Sequence, residues 1–421
     1  MNVHATTNQT PAERALIDQF ETSLPSLPGD ATVAARRTRA FDTLRKGLPT
    51  RKVEAWHYTD LRRLLSAVPS PDAKGQAAGP DPLLAGAAVL KVVNGKAGDP
   101  AGIEGVSVTT LRDRLQAGEA VDGLQPATVD DAVGALNSAF VSDGFRLSVA
   151  AGAEIAHPIE FQNLQAGGQS HSRFSVEIGE GAKAVFVERQ TGSGDALVSS
   201  VSELTVADDA EVTWLIVQEQ PDSATQLGQL KATIGKNAKL TVFFMNAGGR
   251  VVRQEMRIVA AGEGCEFKLR GVNLLAGSTH CDVTMVLDHD AYGATSTETV
   301  RNVITDRAHG VFQGQIRVDR EAQKTDAKMA CNTLLLSDEG QFSTKPELEI
   351  FADDVACGHG ATVTEIERQH LFYLMARGVP EKLARGLLVK AFVAEVIEEL
   401  DDEAVVEALE TKLDAWFAEH G

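Results

Sequence analysis

Five segments of the chain share one short pattern at nearly constant spacing: a strand-forming run, a tight turn, a small residue, a charged residue and a second strand-forming run. The small–charged pairs are Ala153-Glu154, Ala182-Lys183, Ala210-Glu211, Ala238-Lys239 and Cys265-Glu266, and the small residues lie 29, 28, 28 and 27 positions apart. A fixed period identifies one structural unit stacked on copies of itself, and its length selects the architecture. Propeller blades use about 40–50 residues for four strands, whereas solenoid coils use about 20–30. With only strand signals inside the period, the expectation is a mainly β chain built on a parallel β-helix. A β-sandwich with evenly spaced hairpins is the alternative. Runs such as Val212-Thr213-Trp214-Leu215-Ile216-Val217, dense in β-branched and aromatic residues, suit strands in either case. The repeat fades after Cys265, with Gly293-Ala294 as a possible continuation.

Helical patterns flank this region. Residues 11–67 read as helical up to a break at Gly47-Leu48-Pro49, and residues 69–82, rich in Pro, Gly, Asp and Ala, read as a linker. A strand-like run at 88–93 and helical patches near 110–116 and 129–139 lead into the repeats. Beyond Gly360 three helices are expected over 365–377, 380–400 and 402–419, with Gly378-Val379-Pro380 as a stop followed by a proline start. The organisation read from this is an N-terminal helical region (1–85), a β-helix core with a mixed lead-in (86–360) and a C-terminal helical domain (361–421). A helical cap is expected to shield the open end of the solenoid from edge-to-edge pairing.

Composition narrows the function. The 421 residues carry a formal net charge of −19, which disfavours nucleic acid and anionic membrane as partners. Three Trp and three Tyr are too few for sugar- or base-stacking platforms. No apolar leader stands at the start, and the most apolar stretch, 83–90, is far short of the ~20 residues that span a bilayer. A cytoplasmic protein is expected. The cysteines, Cys265, Cys281, Cys331 and Cys357, form no CxxC pair, which argues against a zinc ribbon or a dithiol and for free thiols. No GxxxxGK[ST], GxSxG or HExxH motif occurs, and Gly179-Glu180-Gly181 falls in a strand-to-strand turn. No self-sufficient catalytic apparatus is visible.

The strongest chemical candidate is Cys357-Gly358-His359. On a strand, residues i and i+2 share a side, so thiol and imidazole project together, and soft sulfur with borderline nitrogen suits iron, zinc or an iron–sulfur species. Two ligands leave a site open, so further groups must come from elsewhere or from a partner chain. The plain alternative is a buried cysteine beside an ordinary histidine. Cys265 fills an Ala slot and reads as core, as does Cys331, while Cys281 and His280 are adjacent and must face opposite ways. Glu347 and Glu349 share a strand face as hard ligands or as a solvated acidic face. The helix 380–400 carries apolar residues round more than one stripe, Leu387 and Phe392 among them. Such a helix is covered either by its neighbours or by a partner.

Several stretches resemble one known family. Gly47-Leu48-Pro49-Thr50-Arg51-Lys52-Val53-Glu54-Ala55-Trp56-His57-Tyr58-Thr59-Asp60-Leu61 is similar to the N-terminal signature of the D-type members of the SufB/SufD family. Cys357-Gly358-His359-Gly360-Ala361-Thr362-Val363, followed by Leu371-Phe372-Tyr373-Leu374-Met375-Ala376-Arg377-Gly378, resembles the ending shared by both types. His309-Gly310-Val311-Phe312-Gln313-Gly314 and Lys345-Pro346-Glu347-Leu348-Glu349-Ile350 also look like family segments. The B-type carries a His-Glu-Ala-Thr sequence where this chain has His359-Gly360-Ala361-Thr362, so the D-type is the better match. The resemblance implies a right-handed parallel β-helix between helical regions, acting without enzymatic activity as a scaffold subunit in iron–sulfur cluster assembly. It implies a SufB-like partner, a SufC-like ATPase on the C-terminal helices through Leu387 and Phe392, and self-pairing as a homodimer when isolated. It further implies a transient cluster at the SufB junction near Cys357 and His359, with no cofactor held stably by the isolated chain. A SufB-like subunit that itself holds the cluster, and more remotely a β-helix polysaccharide enzyme, are the competing readings.

Overall fold

The computed structural model describes residues 9–71, 75, 77–100, 102–119 and 123–420; part of the expected linker, residues 72–74 and 76, lies outside them, as do residues 1–8. The N-terminal region contains α1 (Pro11–Ser23), α2 (Ala31–Arg45) and α3 (Leu61–Leu64). Thr10 and Glu13 close a reciprocal capping box at the start of α1, and Asp30 caps α2. A lead-in of β1 (Ala88–Val93), β2 (Lys96–Ala97), β3 (Val106–Thr110), α4 (Leu111–Gln116) and α5 (Ala132–Phe140) follows. The strands β4 (Asp143–Val149), β5 (Ile159–Ile178), β6 (Lys183–Val206), β7 (Glu211–Glu219), β8 (Thr225–Ile234) and β9 (Lys239–Ala247) begin the regular part. It continues through β10 (Val251–Ala260), β11 (Glu266–Leu275), β12 (His280–His289), β13 (Thr295–Ile304), β14 (His309–Val318), β15 (Asp326–Leu335), β16 (Gln341–Ile350) and β17 (Ala356–Thr364). The chain ends in α6 (Arg368–Ala376), α7 (Glu381–Ile397) and α8 (Glu403–His420).

The strands wind into a parallel β-solenoid of about eight turns. One face stacks β4, the second halves of β5 and β6, then β8, β10, β12, β14 and β16; the other stacks β1, the first halves of β5 and β6, then β7, β9, β11, β13, β15 and β17. Parallel pairing between all the stacked strands of the two faces excludes the sandwich alternative, whose hairpins would pair antiparallel. The five sequence landmarks do occupy one equivalent turn. The carbonyl of each accepts from the backbone amide of the charged residue one coil further on: Ala153 from Lys183 (2.8 Å), Ala182 from Glu211 (2.9 Å), Ala210 from Lys239 (2.8 Å) and Ala238 from Glu266 (2.9 Å). The series runs on, with Cys265 accepting from Thr295 (2.9 Å), Ala294 from Asp326 (3.2 Å) and Thr325 from Ala356 (2.9 Å). The pattern fades in sequence because the last slot holds threonine and its coil is longer, yet the turn persists. The residue before each slot has positive φ: Gly152, Gly181, Asp209, Asn237, Gly264, Gly293 and Lys324. That conformation favours Gly, Asn and Asp, and at Lys324 the side chain is held by an ion pair with Asp354.

Alternation along each strand fills the interior with Phe161, Phe186, Trp214, Val242, Leu269, Val300 and Met329 and aims the other residues outward. Where the interior turns polar it is paired along the stack: Asn246 donates to Asn273 (2.8 Å) and Asn273 to Asn302 (2.7 Å). The outward faces are covered on opposite flanks. Phe20, Phe41, Trp56 and α5 pack over Leu197 and Leu227, whereas α7 and α8 lay Val393, Ile397, Leu409 and Leu413 over Leu215, Phe243, Val272 and Val303. The C-terminal helices therefore clad a flank and do not cap the end, contrary to the expectation from sequence. Their apolar stripe matches the row of outward apolar residues on that flank. The two ends of the solenoid consequently differ. The first coil is closed by antiparallel β3 on β4 and β2 on β1. The last is bare: β16 pairs only with β14 and β17 only with β15 among the described residues.

Candidate functional site

Cys357 and His359 lie on this bare strand. Their register partners on β15 are Ala327 and Met329, both buried in the interior, so both side chains face the solenoid lumen at its open mouth. Cys357 is half-buried and packs on the interior cluster, while His359 is exposed. Burial raises the Cys357 thiol above its ordinary range. The other inward residues of the last coil, Phe342, Leu348 and Val355, are only partly covered, and Ile350, Phe351 and Val363 are exposed. A coil whose inner surface meets solvent, next to two unpaired strand edges, is incomplete as an isolated structure.

The remaining sequence candidates separate cleanly. Glu347 and Glu349 do share a face, but it is the outer one, where Glu347 meets Lys345 at 2.9 Å. They do not join the Cys357–His359 pair. Cys265, Cys281 and Cys331 are buried, and burial pushes the Cys265 and Cys331 thiols up to about 11 and about 12. Cys281 points inward while its neighbour His280 points outward to Thr59 (2.9 Å). Among the described residues no three His, Cys, Asp or Glu side chains converge to hold a metal ion, so Cys357 and His359 are a partial ligand set.

The N-terminal signature proves to be a strap across the outer flank. The Ala55 carbonyl accepts from Arg253 (2.8 Å) on β10 and Gln313 (3.3 Å) on β14, and Glu54 meets Lys345 (3.0 Å) on β16. Beneath it, fully buried Arg253 stacks on Trp56 at 3.9 Å and pairs with Asp282, which also accepts from the Thr59 hydroxyl. Burial depresses His280 to about 4, keeping it neutral against this cluster. Sequence reasoning missed these partners. Their only signal was charge at outward positions of strands that otherwise read as buried.

Two further interior residues escaped notice. Glu298 on β13 is completely buried, and burial raises its carboxyl to about 8. Met329 stands between Glu298 and His359 on one inward ladder. Nothing in a single strand's pattern reveals that stacking.

On the C-terminal helices, Leu387 is 47% exposed, beside exposed Leu383, Phe372, Tyr373 and Met375. None of α6 is buried. Phe392 is half-buried and lies beneath Arg301, 5.2 Å from the guanidinium to the ring centre. The two residues singled out on this helix thus differ: Leu387 offers free apolar surface and Phe392 is largely used by its own chain.

Comparison with known proteins agrees with this geometry. Residues 160–392 match the model of the SufBD core domain of the SUF system for iron–sulfur cluster assembly, more than half of the chain. The chain belongs to the SufBD family. It is 28% identical over 381 residues to the iron–sulfur cluster assembly protein SufD of Escherichia coli, covering 86% of this chain and 88% of that one. It is also 31% identical over 202 residues to a SufBD family protein of Synechocystis, covering 48% and 44%, and 27% identical over 284 residues to one of Staphylococcus saprophyticus, covering 66% and 61%. Within the SufBD family it is SufD-like, as the long match to the E. coli protein indicates. No helix among the described residues is long and apolar enough to cross a membrane.

Proposed function

We propose that this SufBD protein is the SufD-like scaffold subunit of an assembly complex, pairing through its bare coil with a SufB-like subunit and carrying a SufC-like ATPase on α6 and α7. It catalyses no reaction alone. The single observation that carries this reading is the asymmetry of the solenoid: one end is closed by antiparallel strands, and the other leaves both edges unpaired with Cys357 and His359 at its mouth. A partner strand added to β16 or β17 would satisfy those edges and cover the exposed inner surface. Two donors facing a junction gain the rest of a ligand set from the other side, so a transient iron–sulfur cluster would sit across the interface as cargo. The exposed Phe372, Tyr373, Leu383 and Leu387 suit an apolar docking surface for the ATPase, and the missing phosphate-binding loop fits ATP handling by another chain. A subunit that accepts sulfur on its own needs a reactive interior thiol, and the three interior cysteines are buried with protonated thiols.

The test is iron and sulfide content of the co-purified complex with wild-type chain and with His359→Ala. The expected result is intact assembly with cluster yield reduced severalfold, because an exposed imidazole contributes little to this chain's core. Unchanged yield in an intact complex refutes a ligand role for His359.

A further inference from the structure

At the closed end of the solenoid, α4 and Leu124 stand off from the outer flank of β4, β5 and β6 and leave a cavity of about 280 Å3. Register builds its back wall: Arg146, Ser175 and Glu203 form one outward row across the three strands, with Arg173 and Glu177 on either side of Ser175. Leu111 and Leu124 supply an apolar side. Arg173 is only 3% exposed. Its Nε donates to Asn137 (3.1 Å) and its Nη2 to the Ser138 hydroxyl (3.1 Å), both on α5. That leaves Nη1 as the edge turned to the cavity, without a hydrogen-bonded acceptor. Glu203 stands 3.5 Å from it, beyond the about 2.7–2.9 Å of a charge-assisted hydrogen bond, and is shared with Lys231 at 3.7 Å.

Charge points the same way. Elsewhere in the lining Arg146 pairs with Glu177 (2.6 Å) and Arg114 with Glu119 (3.7 Å), while Asp131 offsets Lys231 behind it. Arg37 has no such partner among the described residues. It is 1% exposed, and its guanidinium bonds only to the backbone carbonyls of Ser138, Ala139, Val141 and Pro28. Burial, and then the charge of Arg173, depress it to about 10, so it remains a cation at neutral pH. Two buried guanidiniums thus flank Ser138, and one positive charge is left over beside the cavity on a chain whose total is −19.

We propose that this cavity binds a small aliphatic monocarboxylate, its carboxylate on Arg173 Nη1 and its tail against Leu111 and Leu124. One negative charge neutralises the excess, whereas a dianion would meet the carboxylates of Glu177 and Glu203 uncompensated. A buried donor without an acceptor gains a charge-assisted bond, and the apolar side rewards a short hydrocarbon chain.

The experiment is equilibrium dialysis of the full-length chain against radiolabelled butyrate, with the neutral isostere butyramide and inorganic phosphate as competitors. One butyrate should bind per chain. Butyramide and phosphate should each compete about tenfold more weakly or worse. Arg173→Gln should weaken butyrate by about tenfold or more. Because Arg173 also ties α5 to the sheet, a second variant leaves it in place: Ser175→Leu fills the cavity and should abolish binding, with the circular dichroism of the chain unchanged. Glu203→Gln removes the competing carboxylate and should tighten butyrate about threefold, a gain that loss of a merely structural residue would not give. No saturable butyrate binding, equal competition by butyramide, tighter binding of phosphate, full binding by folded Ser175→Leu, or weaker binding by Glu203→Gln each overturns the site.

Discussion

Replacing Glu298 by glutamine tests whether the solenoid interior is as dry as its packing implies. The carboxyl is completely buried, and burial lifts it from 4.5 to about 8; the nearby Ser296 hydroxyl and Arg270 offset only part of that. The folded state therefore holds this proton up to about pH 8, while the unfolded chain releases it near 4.5. Between those values the folded state binds more protons, so stability falls as pH rises, by at most about 1.4 kcal/mol per pH unit. The accumulated loss has an upper bound of about 3.5 kcal/mol at pH 7 and about 5 kcal/mol above pH 8. Glu298→Gln cannot ionise and keeps nearly the same shape. Below pH 4.5 the two proteins should unfold at similar urea concentrations, since a neutral acid and an amide are then compared. At pH 8.5 the variant should be the more stable by several kcal/mol. The assay is urea unfolding at pH 4.5, 7 and 8.5, followed by circular dichroism and by the fluorescence of buried Trp56 and Trp214. Parallel pH profiles for the two proteins would refute the reasoning, because they would mean that Glu298 is solvated or partnered in its charged form.

Two other outcomes can be checked with the isolated chain or a simple binding assay. In native protein, iodoacetamide should label Cys357 alone, with Cys265, Cys281 and Cys331 reacting only after denaturation, as read by peptide mass spectrometry. Leu387→Asp should weaken ATPase-subunit binding by about tenfold or more with little change in melting temperature, since exposed apolar surface worth roughly 1.5–3 kcal/mol on burial is lost. Phe392→Ala should do the reverse, lowering stability by about 2 kcal/mol through lost packing under Arg301.

The architecture was legible in the sequence because the physical constraint recurs. Every coil needs a residue that tolerates positive φ, followed by one small enough for the buried turn, so Gly181-Ala182, Asp209-Ala210 and Asn237-Ala238 repeat at the length of one coil. The same period placed Cys265 in the core, and strand alternation alone put Cys357 and His359 on one side. What periodicity cannot state is which surface covers which. The C-terminal helices were expected at the end of the solenoid and lie on its flank, because the outward row Leu215, Phe243, Val272 and Val303 is assembled from four separate coils. The strap's buried Arg253, Asp282 and Thr59 meet across more than 190 residues of chain, and no local pattern encodes that meeting. The depth of the site was hidden for the same reason. Glu298, Met329 and His359 are neighbours only through the stacking of successive coils, and register between coils is a property of the folded stack. Local sequence determined what each strand and turn could be; the tertiary stack decided which end stayed open and which side chains stand beneath Cys357 and His359 there.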